Sequence, residues 1–342
     1  MVIFVAGAGA TWAAGLFLSK TTDSLDRRLG LGEALGGLIL LAIAGTLPEI
    51  AIVASASLAG NLPLAVGNLI GGIAIQTLVL VVLDFTAGRE RPLSYLVGSL
   101  IPVLEALLVI ICLGTVLGGA ALPTSISIGG AVSPTSIAVV LFWLGGLWVV
   151  NRVRKRSDWK IEMPGSRPGR RSTREDHPEE QRPYAQRSTA LVATVFGCAS
   201  AITLAAGVTL QSSGNELADR MGIQGAVFGA TVLAAATALP EISSGIAAVR
   251  LGDHQLAMGD IFGGNSFQLT LFLLADILAG TPVIVAAQGS DVWLGAAGLL
   301  MTGVAAAAVI ARPQRTFLRL GIDSIGLIVI YAGVVALLSK VA

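Results

Sequence analysis

The chain has 342 residues, 54% of them hydrophobic and only 13% charged, and its mean hydropathy is +0.81. That composition excludes an ordinary soluble domain. A formal net charge of +1 offers no electrostatic footing for nucleic acid. The two cysteines, Cys112 and Cys198, lie alone in apolar runs with neither disulfide nor metal spacing.

Stretches long enough to cross a bilayer are predicted near 2–19, 32–59, 62–86, 94–117, 135–151, 189–210, 222–249, 253–280, 291–311 and 320–339. The first is read as a span rather than a cleaved leader, because it continues the architecture of the rest and lacks a strong cleavage pattern. The loops after spans one, three, five, seven and nine hold 20 of the 22 basic residues, against Arg220 and Lys340 on the other side. Basic loops stay in the cytoplasm, so both termini are expected outside and residues 152–188 inside, with the plasma (inner) membrane as the location. Five spans per half is an odd number, so the second half enters upside down. The expected fold is therefore an all-α membrane protein of ten transmembrane helices in two inverted five-helix repeats, 1–151 and 189–342. The Arg-, Glu-, Pro- and Ser-rich stretch 152–188 between them reads as a polar linker, with lipid-headgroup binding as the sharper alternative.

A motif occurs twice. Leu47-Pro48-Glu49 is followed by Asn68 in Gly67-Asn68-Leu69-Ile70-Gly71-Gly72, and Leu239-Pro240-Glu241 by Asp260 in Gly259-Asp260-Ile261-Phe262-Gly263-Gly264. Gln76 and Gln268, then Asp84 and Asp276, complete the copies, every pair offset by 192 residues. A carboxylate in apolar sequence is destabilising unless compensated, and marks a functional site by default. Duplicated, proline-broken, acidic helices are the mark of a transporter built from repeats, with its site at the midplane.

Proline removes a backbone donor and presses on the preceding turn. Pro48 leaves the carbonyl of Ala44 without its usual partner, Pro240 does the same to Ala236, and the next carbonyls, on Gly45 and Thr237, are loosened. Hard cations such as Ca²⁺ take six to eight oxygens from carboxylates, carbonyls and amides. Glu49, Glu241, the bend carbonyls, Asn68, Asp260 and the hydroxyls of Thr46 and Thr237 form such a ligand set, and inverted symmetry would bring its two halves face to face. Gly67 and Gly71, like Gly259 and Gly263, share a helical face and allow close helix approach. Two carboxylates about 5 Å apart repel by roughly 3 kcal/mol at an effective dielectric near 20. An empty site thus resists occlusion, whereas one loaded with Ca²⁺, Na⁺ or H⁺ does not.

The two segments resemble the alpha repeats of the sodium/calcium exchanger family, within the Ca²⁺:cation antiporter superfamily. The family pattern, roughly G-T-S-L-P-E followed by G-[ND]-x-x-G-[SG]-N, is matched by Gly45-Thr46-Leu47-Pro48-Glu49 and Ala236-Thr237-Ala238-Leu239-Pro240-Glu241. The resemblance covers nearly the whole chain. It implies that Glu49 and Glu241 are the central cation ligands, that Asn68 and Asp260 complete the site, and that spans one and six slide across it. It also implies antiport of Ca²⁺ against Na⁺ or H⁺, with no bound cofactor. The departures concern hydroxyls. The first motif is one residue short, Ala238 replaces a serine, Leu64 and Leu256 stand where sodium-coupled relatives often have serine, and Ile73 stands opposite Asn265. Oxygens suited to Na⁺ are thinned while carboxylates remain, which brings H⁺ in as counter-ion.

Three further features complete the reading. Asp84 and Asp276 are expected near opposite membrane faces, solvated at the interface, and Gln76 and Gln268 as interhelical hydrogen bonders. Glu105 is expected mid-span, either as a proton path or as a satisfied structural acid, with Ala297 at the equivalent position of the other half. An intramembrane hydrolase is disfavoured, since His177 and His254 lie in or beside loops and no Ser–His or Cys–His pair sits at depth. A passive channel wants a continuous polar path, whereas here polarity concentrates at one level. The expected partners are inorganic cations and membrane lipids.

The charge split gives a direct test. Cysteines placed at Ser157 and beside Gly280 are expected to react with impermeant thiol reagents from opposite sides of the membrane, and labelling from one side would refute the ten-span arrangement.

Overall fold

A computed structural model describes residues 1–28, 42–87, 90–123, 126–156, 184 and 187–341. The start of the expected second span and most of the 152–188 linker lie outside these residues. The long helices are α1 (Val2–Arg28), α2 (Leu47–Leu58), α3 (Leu62–Ala87), α4 (Ile101–Ala120), α5 (Pro134–Arg156) and α6 (Thr189–Met221). Next, α7 joins Gly225–Phe228, a π-helical turn Gly229–Leu233 and Ala234–Thr237. It is followed by α8 (Leu239–Arg250), α9 (His254–Ala279), α10 (Gly289–Ala311) and α11 (Ile322–Val341). Among the described residues seven helices are long and apolar enough to span a bilayer, or eight with the bent pair α7–α8; Leu47–Leu58 and Ile322–Leu338 are shorter apolar helices.

Local chemistry sets the helix ends. Ser188 caps α6 by accepting from the Leu191 N–H at 3.3 Å, and Asp253 caps α9 by accepting from the Leu256 N–H at 2.9 Å. Gly222 and Gly280 end the same two helices in the left-handed conformation that a residue without Cβ adopts freely. The prolines fall at the first positions of α2 and α8, where the missing N–H is not needed. The second motif therefore breaks a span in two, α7 and α8 meeting at 46°, and at the first a helical stretch from residue 42 ends at Thr46 before α2 begins.

The core is a bundle centred on α3, whose apolar window is 83% buried, with α4, α9 and α10 packed around it. In contrast, α1 and α6 lie against each other on the outside, each only 28% buried. They touch the breaks through glycine. A methyl group at Gly15 of α1 would sit 2.6 Å from the Pro240 Cβ, and one at Gly207 of α6 would sit 2.6 Å from the Ala51 Cβ and 2.9 Å from the Pro48 carbonyl oxygen. These two crossings are separated by the same 192 residues as the motifs.

Asp84 and Asp276 are not solvated at an interface, as their position along the helices suggested. They are 1% and 0% exposed. Asp84 accepts from the Leu93 N–H (2.6 Å), the Gly321 N–H (2.7 Å) and the Ser324 hydroxyl (2.6 Å), and so fixes the start of α11. Asp276 accepts from the Val283 N–H (2.6 Å) and the Ser133 N–H (2.9 Å), just ahead of α5. Backbone donors freed at the following turns, together with the entry of a distant helix, make both carboxylates into clasps. Hydrogen bonds to a charged group contribute about 1.5–3 kcal/mol each. Asp84→Ala is expected to lower the apparent Tm in detergent by several degrees or to abolish folding, as read by scanning fluorimetry.

Candidate functional site

The two breaks place opposite charges where a cation would lie. Glu49 and Glu241 each stand in the first turn of a helix, α2 and α8. The positive end of the helix dipole there offsets part of the destabilisation of a buried carboxylate. The carbonyl end of the preceding helical piece points back toward the same break. Glu49 is 1% exposed, and its Oε1 accepts from Gln76 Nε2 at 3.3 Å. Thr237 of the other motif stands beside its carboxyl. Glu241 lies within the electrostatic reach of both Glu49 and Asp260. The two glutamates predicted to face each other are therefore brought together, and Asp260 is added on the side of α9.

Several polar atoms here have no partner within the protein. Glu49 Oε2, Glu241 Oε2 and both amide atoms of Asn68 are buried without a hydrogen bond. Thr46 and Thr237 are 1% exposed, and their hydroxyl protons are tied back to the Ala42 carbonyl (2.8 Å) and the Ala234 carbonyl (3.1 Å). Their lone pairs thus remain as acceptors. Ala44 and Ala236 are buried, while Gly45 is exposed. Asn265 turns toward α3, donating to the Thr77 hydroxyl at 3.4 Å, with its Oδ1 unpartnered. Among the described residues no three Asp, Glu, His or Cys side chains close into a preformed metal cage. The oxygen set is instead mixed, with carboxylates supplemented by amides, hydroxyls and backbone, as hard cations accept.

The site is unevenly covered. Thr46, Glu49, Asn68, Gln76 and Thr237 are each no more than 3% exposed. Glu241, Ser244, Asp260, Gly263 and Gly264 are only half-buried, and a methyl group on either glycine would meet nothing within 4 Å. The site opens toward α8 and the first turns of α9 and is sealed on the α3 side.

The glycines divide the work unequally. A methyl group at Gly71 would lie 2.1 Å from the Ala230 Cβ, so α3 and the π turn of α7 approach as expected of that face. Gly263 makes no such approach. Gly259 instead makes room for Glu105, whose Oε2 would lie 2.8 Å from a methyl group there. Glu105 is in the second turn of α4 rather than mid-span, because the helix starts only at Ile101. Its Oε1 pairs with Arg154 at 3.6 Å, its Oε2 is buried without a hydrogen bond, and it lies in the field of Asp260.

Gln268 is an interhelical bonder as expected, donating to the Asn68 and Leu69 carbonyls at 3.1 Å each. Gln76 is one too, but its acceptor is Glu49 itself. Ser244 escaped the sequence reading, although its hydroxyl donates to Asp260 Oδ2 at 2.9 Å. It follows Glu241 by three residues, on the same helical face, but the equivalent residue of the first copy is Ile52. A search guided by duplication passes over it.

The family profile described as sodium/calcium exchanger protein matches residues 1–152 and 190–340. The chain is 29% identical over 290 residues to the putative antiporter CaxA of Alkalimonas amylolytica, covering 84% of this chain and 83% of that protein. It is 30% identical over 253 residues to the inner membrane protein YrbG of Escherichia coli (strain K12), covering 73% and 70%. In fold it is similar to native YfkE (TM-score 0.65, 15% identity, 99% of this chain and 92% of that one). It is likewise similar to the H⁺/Ca²⁺ exchanger CAX (0.63, 15%, 99% and 88%) and to the sodium-calcium exchanger NCX_Mj (0.56, 16%, 98% and 97%).

Ser244→Ala is expected to weaken divalent-cation binding about tenfold, the effect of one charge-assisted hydrogen bond, without changing thermal stability. Calcium titration calorimetry on the purified protein reads this directly.

Proposed function

Since the chain belongs to the sodium/calcium exchanger protein family, we propose that it exchanges Ca²⁺, or a similarly hard divalent cation, for H⁺ by alternating access. The chain is a multi-pass membrane cation antiporter of that family. The observation that carries the exchange reading is the pair Glu49 and Glu241, one buried and one half-buried carboxylate close enough to feel each other, each at the first turn of a helix that restarts after a proline.

In this reading Glu49 and Glu241 are the central ligands, and Asn68, Asp260, Thr46 and Thr237 complete the shell with the carbonyls of Ala44, Gly45 and Ala236. Asn265 and Glu105 flank it. Residues 1–151 and 189–342 form two inverted five-helix repeats, with 152–188 cytoplasmic and both termini outside. The half-open side of the site, at α8 and the start of α9, then faces the cytoplasm.

A Ca²⁺ ion cancels the two glutamate charges, and so do two protons. Either load lets α1 and α6 move across the site, whereas the bare carboxylates repel and hold it open. The counter-ion reading rests on which oxygens are missing. Leu64 is completely buried among Phe4, Ile52 and Phe228, and Ala238 is 1% exposed in the main core. Both positions are filled by hydrocarbon where a Na⁺ ion needs a hydroxyl, while a proton needs only the carboxylates. One observation favours Na⁺ as a second reading: Ser244 returns a hydroxyl to the Asp260 side.

Sealed vesicles holding the purified protein and a Ca²⁺ dye test this. Ca²⁺ is expected to move in response to a pH step in K⁺ buffer without Na⁺. Glu49→Gln and Glu241→Gln are each expected to slow that movement by about 100-fold or more, since stripping one member from a buried charge set costs about 3 kcal/mol or more. Near-normal exchange in either variant would remove the site assignment. Strict dependence on Na⁺ with indifference to pH would replace the proton reading by the sodium one, and flux with no counter-ion would mean a channel.

A further inference from the structure

The outer helices carry a duplicated feature that the motif did not include. Thr11 on α1 and Thr203 on α6 are separated by the same 192 residues as the two motifs. Both are 0% exposed, and both hydroxyls are buried without a hydrogen-bond partner. Thr22 and Thr302 are likewise buried without a partner, but neither has a threonine 192 residues away. Thr21, Thr46, Thr77, Thr115, Thr194 and Thr209 all donate to the carbonyl four residues back, the ordinary way to satisfy such a group in an apolar helix. Thr11 and Thr203 leave that acceptor unused.

Their neighbours locate them. Residues four apart lie on one helical face, one turn from each other. One turn beyond Thr11 stands Gly15, seated on Pro240. Nearly a turn before it stands Ala8, packed against the cluster that contains Ala236. Thr11 therefore stands one turn from the Pro240 contact, with Gly7, one turn the other way, against Leu210 of α6. On α6, Gly207 is seated on the Pro48 carbonyl oxygen and Ala51, and Ala199 belongs to the cluster with Leu47. Thr203, midway between them and four residues from each, is level with the other break. Each helix thus carries one buried, unpartnered hydroxyl one turn from the glycine that is seated on a proline break.

We propose that Thr11 and Thr203 are further cation ligands, hydroxyl oxygens that α1 and α6 bring to the helix breaks at Pro240 and Pro48. The proposal rests on the antiporter reading above and adds to it two neutral oxygens from outside the motif helices. A hard cation at the glutamates needs six to eight oxygens, and neutral hydroxyls add coordination without adding repulsion. These oxygens belong to helices that lie outside the core bundle, so the shell is complete only when α1 and α6 sit over the breaks. Ligation would then report the position of those helices to the ion.

Valine keeps the shape of threonine and removes the hydroxyl. In the full-length protein, Thr11→Val and Thr203→Val are each expected to weaken Ca²⁺ binding by about tenfold, as measured by calorimetric titration with CaCl₂. The double variant is expected to weaken it further. Thr11→Ser and Thr203→Ser, which keep the oxygen, are expected to restore binding to within about twofold of the unsubstituted chain, with the Tm unchanged throughout. Unchanged affinity in the double valine variant would overturn the proposal, as would a loss of affinity that follows a fall in Tm and is not restored by serine. Failure of the unsubstituted chain to bind Ca²⁺ would overturn the antiporter reading together with this one. Binding that Glu49→Gln abolishes but the double valine variant leaves intact would overturn this one alone.

Discussion

Two glutamates that share a small space inside an apolar bundle set the terms for what surrounds them. Neither can be solvated as in water, and each raises the energy of the other. The chain answers with geometry. A proline at each break ends one helical piece and starts another, which leaves carbonyl oxygens on one side of the gap and a positively polarised helix start on the other. Glu49 and Glu241 occupy those starts, so their charge is partly compensated by the backbone, and among the described residues no basic side chain is buried beside them. A lysine or arginine in that place would neutralise the pair permanently and leave nothing for a mobile cation to do. Arg154 pairs instead with Glu105, from the end of α5, where the guanidinium is 44% exposed.

The packing follows from that arrangement. Broken helices lose stability at the break and need firm support elsewhere. The support comes from α3, which is buried along most of its length, and from α9, whose Gln268 grips the Asn68 and Leu69 carbonyls. The helices that would have to move, α1 and α6, contribute little to this core and meet the breaks through Gly15 and Gly207. A side chain at either place would wedge into the proline. Glycine keeps the contact at each break shallow, although the Trp12 indole N–H of α1 also donates to the Ser243 hydroxyl of α8 beside it.

Much of this was legible in the sequence because the message is repeated. An isolated Glu49 in an apolar run is ambiguous, but the same residue with the same neighbours 192 positions later is not, and the pairing of Glu49 with Glu241 follows from it. The features that escaped are those that duplication does not carry. Ser244 has Ile52 as its counterpart, and Arg154 reaches Glu105 from the edge of a basic loop. The misplaced aspartates failed for a different reason. Distance along a helix gives depth in the membrane but not the company a side chain keeps there. Asp84 and Asp276 lie near helix ends, where solvation is the ordinary expectation. Whether a turn folds back with its N–H groups aimed at them is a tertiary fact with no local signature.

The clasp at Asp84 also has a history in time. Two of its donors, Gly321 and Ser324, lie 237 and 240 residues further along the chain. At synthesis rates of about 5–20 residues per second, that separation corresponds to roughly ten to fifty seconds. Through that interval α3 would be in place with its carboxylate held by Leu93 alone, waiting for α11 to be made. Assembly of the central helix therefore finishes only once α11 has emerged, and a ribosome that stalls before residue 321 leaves behind a bundle with a half-satisfied acid at its heart.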